Sequence, residues 1–286
     1  MLKMIRSVVC LFIFFSGGLM AGDPDPAKLA TILAAQPADV QARYPARHPA
    51  ETLEFFGIAP GMVVVEALPG GGWYTKILMP YLGPDGILFG ADYSPDMYPL
   101  FGFFTEEQLK EKANWKKDFV RDSQEWAGAD GAGSGAFVFG AMPPEIAGTA
   151  DAVLFIRALH NLARFEDQGG FLTAAFKDAY DVLKPGGIVG VVQHMAPAGM
   201  PEGWAGGQNG YLEKDFVIAR MEAAGFEFVA ASDINENSKD QPGAEDMVWR
   251  LPPSLATSRE NPELKAEMEA IGESNRMTLK FRKPQE

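Results

Sequence analysis

A single cysteine and three histidines are all that this 286-residue chain carries of the two residue types that most often ligate metals or act as nucleophiles. The cysteine, Cys10, lies in the first apolar segment, so removal of that segment leaves no thiol, no disulfide and no thiolate metal ligand. Positive charge is scarce too, with 25 Lys and Arg against 38 Asp and Glu and a formal net charge of -13. Nucleic acid and anionic lipid surfaces are poor partners for such a chain, and the excess of acid fits solubility outside the cytoplasm better than a cationic substrate. No internal repeat is present.

The amino terminus reads as a processing signal. Lys3 and Arg6 precede the apolar run from Val8 to Phe15, and Gly17, Gly18 and Ala21 supply small residues for a cut after Ala21. The run is too short to span a bilayer comfortably, so no membrane span is expected after cleavage. Val9 stands where a lipoprotein signal would carry a small residue. Cleavage removes two cations and no acid, taking the formal charge from -13 to -15. The expected destination is the periplasm or the medium. Domain bounds follow: 1–21 signal, 22–47 linker and helix, and 48–286 one α/β domain with insertions near 93–135 and 234–275.

The most informative run is Met62 to Trp73. Val63, Val64 and Val65 suit a central parallel strand buried on both faces; Glu66 closes it, and Gly70, Gly71 and Gly72 form a turn into a helix. Trp73, Ile77, Leu78 and Tyr81 recur at helical spacing until Gly83 and Pro84. Gly86 to Asp92 reads as a second strand with its own terminal acid, and Asp92 lies 20 residues past Gly72, where nucleotide-binding sheets place a ribose ligand. Thr75 occupies the place of the third glycine of a nicotinamide fingerprint, which disfavours that cofactor.

These residues resemble motif I and the following acidic motif of class I S-adenosylmethionine-dependent methyltransferases. Asp151 to Asn161 is similar to the family's fourth strand, and Leu183 to Val192, with Lys184-Pro185-Gly186-Gly187, to its helix end, turn and fifth strand. His48 to Thr52 and Pro69 to Thr75 look like a bacterial group of methyltransferases with export signals, which points to a Gram-negative periplasm. The resemblance implies a Rossmann-like sheet of seven strands, parallel except for the last, with helices on both faces. It implies S-adenosyl-L-methionine as cofactor, with Glu66 on its amino group, Gly70, Gly71 and Gly72 on its carboxylate, Asp92 on its ribose and Tyr93 over its adenine. Trp73 offers an aromatic face to the cofactor or packs under the sheet. Two departures stand out. Leu68 replaces the first glycine of the motif, and the run from Phe137 to Pro143, read as the third strand and its exit, lacks the acid that usually meets adenine.

His160 and His194 end the expected fourth and fifth strands, so both imidazoles are expected in one crevice, with His48 on a covering helix. Either of the pair is a candidate general base or orienting group for the acceptor, with Asn161 beside them; Arg157 reads as a structural strand residue. A zinc or iron site built on these histidines ranks below that, since no close-spaced ligand motif supports it. The acceptor is expected to be small or lipid-like. The alternatives are an exported, non-catalytic binding protein on the same fold and, below it, a nicotinamide oxidoreductase. No residue pattern names the acceptor or the oligomeric state.

Overall fold

The computed structural model describes residues 22–285, so the expected signal segment, 1–21, lies outside the described residues. Seven strands, β1 (Val63–Ala67), β2 (Ile87–Asp92), β3 (Gly133–Val138), β4 (Ala150–Ile156), β5 (Leu183–His194), β6 (Glu227–Ser232) and β7 (Arg276–Arg282), form one sheet in the order β3-β2-β1-β4-β5-β7-β6. β1 to β5 pair in parallel, and β7 runs antiparallel between β5 and β6. This is the doubly wound, mostly parallel sheet expected from the sequence. Its strand order reverses between β1 and β4, and open sheets of this kind bind ligands at the carboxyl ends on either side of that reversal.

Helices α1 (Pro26–Ala35), α2 (Ala38–Gln41), α3 (Tyr44–Arg47) and α4 (Pro49–Phe56) precede the sheet. α5 (Thr75–Leu82) links β1 to β2, and α6 (Glu106–Lys112) and α7 (Trp115–Ala127) lie between β2 and β3. α8 (Leu159–Arg164), α9 (Glu166–Gly169) and α10 (Phe171–Val182) lead from β4 to β5, while α11 (Lys214–Ala223) precedes β6 and α12 (Pro262–Ile271) precedes β7. Among the described residues no helix is long and apolar enough to cross a membrane.

Alternation along the strands sends successive side chains to opposite faces and builds two cores. Val65, Val153, Phe155, Val189 and Val191 face α8, α10 and α11, whereas Val64, Leu88, Ala152 and Leu154 face α1, α4 and α5. Strand glycines let helices approach: a Cβ at Gly90 would stand 2.7 Å from the Phe119 ring of α7, and one at Gly190 2.6 Å from Phe56 of α4. Residues 93–135 are more ordered than a glycine-rich insertion suggests. α7 packs on α5 and β3 as the crossover helix, and Gly133 to Gly135 already belong to β3, paired with Ile87 to Phe89 of β2; a Cβ at Gly135 would lie 2.4 Å from the Phe89 ring.

Candidate functional site

Glu66 and Asp92 stand near the carboxyl ends of adjacent strands, in a register that pairs Glu66 with Gly90 and Ala67 with Ala91. Glu66 is 3% exposed, and its Oε2 accepts a 2.6 Å hydrogen bond from the Thr75 hydroxyl. Burial pushes its carboxyl up to about 7 against the opposing pull of that bond. Thr75 thus takes the place of the third glycine and supplies a hydroxyl to the strand-end acid, a role its position at the start of α5 allows and the glycine pattern alone did not indicate. Asp92 is also buried; its Oδ1 accepts the Tyr93 N–H at 2.9 Å and its Oδ2 accepts the Tyr98 hydroxyl. Burial raises this carboxyl, opposed by the same two hydrogen bonds.

The glycine turn divides by function. Gly70 and Gly71 are exposed, and neither N–H has an acceptor among the described residues. Gly72 is buried; its N–H closes the turn on the Pro69 carbonyl, and a Cβ there would lie 2.2 Å from the Trp126 ring of α7. Gly72 is therefore glycine for packing, with φ of 74° as a second reason, while Gly70 and Gly71 keep free amides. Trp73 faces the protein. Arg47 lies 4.5 Å over its ring, Tyr44 and Tyr74 meet it edge-on, and its buried Nε1 has no partner. Tyr93 leans on Tyr98 and Phe101, and its hydroxyl accepts 2.9 Å from Asn161 Nδ2. Asn161 thereby ties α8 to the end of β2.

His160 and His194 do meet, with ring centroids 5.5 Å apart. His194 ends β5 as expected, but His160 does not end a strand: β4 stops at Ile156, and His160 sits in the first turn of α8. The chain breaks off early because Arg157 adopts φ of 58°, which no strand continues. His194 Nδ1 lies 2.5 Å from Ser274 Oγ, and His160 Nδ1 is enclosed without a partner. Burial holds His160 down to about 4, and burial together with His160 and Arg157 holds His194 well below the usual range, so both rings are neutral near pH 7. His48 is apart from the pair. It joins α3 to α4 at φ of 42°, with Nδ1 3.9 Å from Glu51, and lines a different cavity with Asn235 and Gly272. Among the described residues no group of three His, Cys, Asp or Glu side chains could hold a metal.

Two segments roof the histidines. Trp249 packs 5.8 Å from His160, Tyr211 packs 6.2 Å from His194, and Trp204 stacks on Tyr211. The roof is fastened by Asp240, buried, which accepts from Arg250 at 2.8 Å, from the Tyr211 hydroxyl at 3.0 Å and from the Asn275 N–H at 2.9 Å. Gly207 passes so close to α8 that a Cβ would stand 2.0 Å from the His160 carbonyl.

Arg157 lies one residue past the end of β4. Leu68 leaves β1 at φ of 52° just as Arg157 leaves the neighbouring β4 at 58°, two side-chain-bearing residues in the left-handed region on either side of the strand-order reversal. Such conformations cost about 1–3 kcal/mol each and gather at binding sites. Their N–H groups are held by the Ala91 and Val192 carbonyls at 2.7 and 2.6 Å. Close by, Arg43, Arg47 and Arg276 share one carboxylate, Glu273.

No protein-family model matches the sequence, and no curated protein is similar to it. Solved structures are similar in fold. The [4+2]-cyclase SpnF shares 17% identity over 84% of this chain and 82% of its own, with a TM-score of 0.52. A geranyl diphosphate methyltransferase in complex with S-adenosylmethionine shares 16% over 92% of this chain and 96% of its own, with a TM-score of 0.50. The geranyl diphosphate C-methyltransferase of Streptomyces coelicolor shares 15% over 92% and 90%, at 0.48. The fold is that of the S-adenosylmethionine-dependent methyltransferases, and the similarity to class I members is distant.

Proposed function

We propose that this protein is a methyltransferase that uses S-adenosyl-L-methionine to modify a small or lipid-like acceptor. One observation carries the reading: two buried strand-end acids, Glu66 and Asp92, flank a turn whose Gly70 and Gly71 amides are free. The residues fit the cofactor's groups. The free amides suit its carboxylate, the Glu66 carboxyl its ammonium and Asp92 its ribose hydroxyls, with Tyr93 beside the adenine. Trp73 is a wall under this site, because its face is taken by Arg47. When bound, the cofactor supplies an electrophilic methyl group.

The rest falls to the acceptor side of the crevice. Neutral, buried His160 and His194 are weak bases, so we assign them, with Asn161, to holding the acceptor in line rather than to taking its proton. Alignment is a large part of catalysis in such a displacement. The test is labelled S-adenosylmethionine with a panel of acceptors, comparing the parent with His160→Gln and His194→Gln. Turnover should fall about 100-fold in at least one variant with S-adenosylhomocysteine affinity retained. Normal turnover in both would remove the histidines from the reaction.

A second reading, binding or other chemistry on the same fold, is favoured by the Tyr98 hydroxyl seated on Asp92 and by the likeness to a protein described as a [4+2]-cyclase. Cofactor binding without transfer to any acceptor would support it.

A further inference from the structure

We propose that Arg157 is the anchor of a carboxylate-binding subsite, so that the acceptor of the proposed transfer carries a carboxylate group. The inference deepens the methyltransferase reading and rests on it only for the word acceptor; the subsite itself rests on Arg157.

Four arginines surround the carboxyl end of β4, and one acid serves them. Glu273 Oε1 accepts from Arg43 Nε at 2.8 Å and Arg47 Nε at 3.2 Å, while Oε2 accepts from Arg276 Nη1 at 3.2 Å. Arg276 also donates to the Ser274 and Ala46 carbonyls. Three of the four are thereby paired. Arg157 is the exception: among the described residues its side chain has no hydrogen bond and no ion pair, and its Nε is enclosed without a partner. An enclosed, unmatched guanidinium N–H costs free energy unless a ligand meets it. Burial and Arg276 hold Arg157 below the ordinary arginine range, as expected where positive charge is in excess. That excess stands out in a chain whose formal charge is -13.

A planar fork of an Nε–H beside an Nη–H matches the paired oxygens of a carboxylate or a phosphate, and the one unpaired guanidinium balances the single charge of a carboxylate. The place follows from the neighbours. Arg157 lies three residues before His160, and its N–H meets the Val192 carbonyl two residues before His194, so it adjoins the acceptor side, whereas the free amides of Gly70 and Gly71 lie after β1. The His160 Nδ1, three residues further on, is likewise enclosed without a hydrogen-bond partner. An acceptor that arrives ionised also suits a site whose two imidazoles are poor bases.

The experiment is calorimetric titration of the mature protein with benzoate, its neutral isostere benzamide and inorganic phosphate, each without cofactor and again with S-adenosylhomocysteine at saturation. Benzoate should bind at least about tenfold tighter than benzamide or phosphate, and S-adenosylhomocysteine should not displace it. Arg157→Gln should lose at least about tenfold in benzoate affinity and keep S-adenosylhomocysteine affinity, with Arg157→Lys intermediate because it keeps charge without the fork. Equal affinity for benzoate and benzamide would overturn the proposal, as would a preference for phosphate. Displacement by S-adenosylhomocysteine would also overturn it, since Arg157 would then hold the cofactor's own carboxylate. The benzoate and benzamide comparison needs no variant, so a misfolded Arg157→Gln protein leaves the test intact. A protein that binds benzoate but not S-adenosylhomocysteine would keep the subsite and lose the methyltransferase reading.

Discussion

The Tyr98 hydroxyl donates to the Asp92 carboxylate at the end of β2, on the oxygen left over by the Tyr93 N–H. Both oxygens of the acid proposed to hold a ribose are thus engaged within the chain, and a sugar hydroxyl competes with the tyrosine for Oδ2. Tyr98→Phe should therefore tighten S-adenosylhomocysteine binding by about tenfold, the lower range for a hydrogen bond to a charged group. Titration of parent and variant checks it, and weaker binding by the variant would make Tyr98 part of the cofactor's grip.

Glu66 gives a pH signature. Its carboxyl is raised to about 7 by burial, so the folded protein holds a proton there that the unfolded chain, near 4.5, has released. Stability on this account is highest below the unfolded value, falls as pH rises toward 7 and is flat above it. Glu66→Gln should be more stable than the parent at pH 8 by up to roughly 3 kcal/mol and lose that advantage at pH 4.5, as urea denaturation would read. Binding of an ammonium group lowers the carboxyl again. S-adenosylhomocysteine should then bind more tightly as pH climbs from 5 to 7, releasing a proton, and neither effect should survive in Glu66→Gln.

Gly71 and Gly72 of the turn should separate by stability. Gly72→Ala forces a Cβ into the Trp126 ring at positive φ and should cost about 1–3 kcal/mol, whereas Gly71→Ala meets nothing within 4 Å and should leave thermal stability nearly unchanged. A melting scan of the two variants decides.

How far the sequence went is visible in single residues. The period-two alternation of Arg276 to Arg282 is long and has no competing helical reading, and β7 spans those residues. Glu66, Asp92 and the glycine turn were legible because strand, acid and turn are consecutive in the chain. His160 was misplaced by one element, since an apolar run does not show where Arg157 turns to positive φ. Tyr98, Asp240 and the arginines around Glu273 were not seen as site residues. Each acts on a partner far along the chain, as Arg43 does on Glu273, and such pairings leave no local pattern.

Asp240 makes that long-range dependence testable. It sits buried under the roof, bonded to Arg250, Tyr211 and the Asn275 backbone. Asp240→Asn leaves Arg250 without its buried counter-charge and should destabilise the protein by about 3–5 kcal/mol. Hydrogen exchange should show the loss first in residues 204–211 and 248–250, and unchanged protection there would mean the roof is held by its aromatic packing.

That the carboxyl ends of β1 and β2 hold S-adenosylmethionine is tested most directly by calorimetric titration of the protein with S-adenosylhomocysteine. One site should be found, and Asp92→Ala should weaken it by about 1.5–3 kcal/mol, the loss of charge-assisted hydrogen bonds to the ribose. No binding by the parent, or equal affinity in parent and Asp92→Ala, would contradict the account.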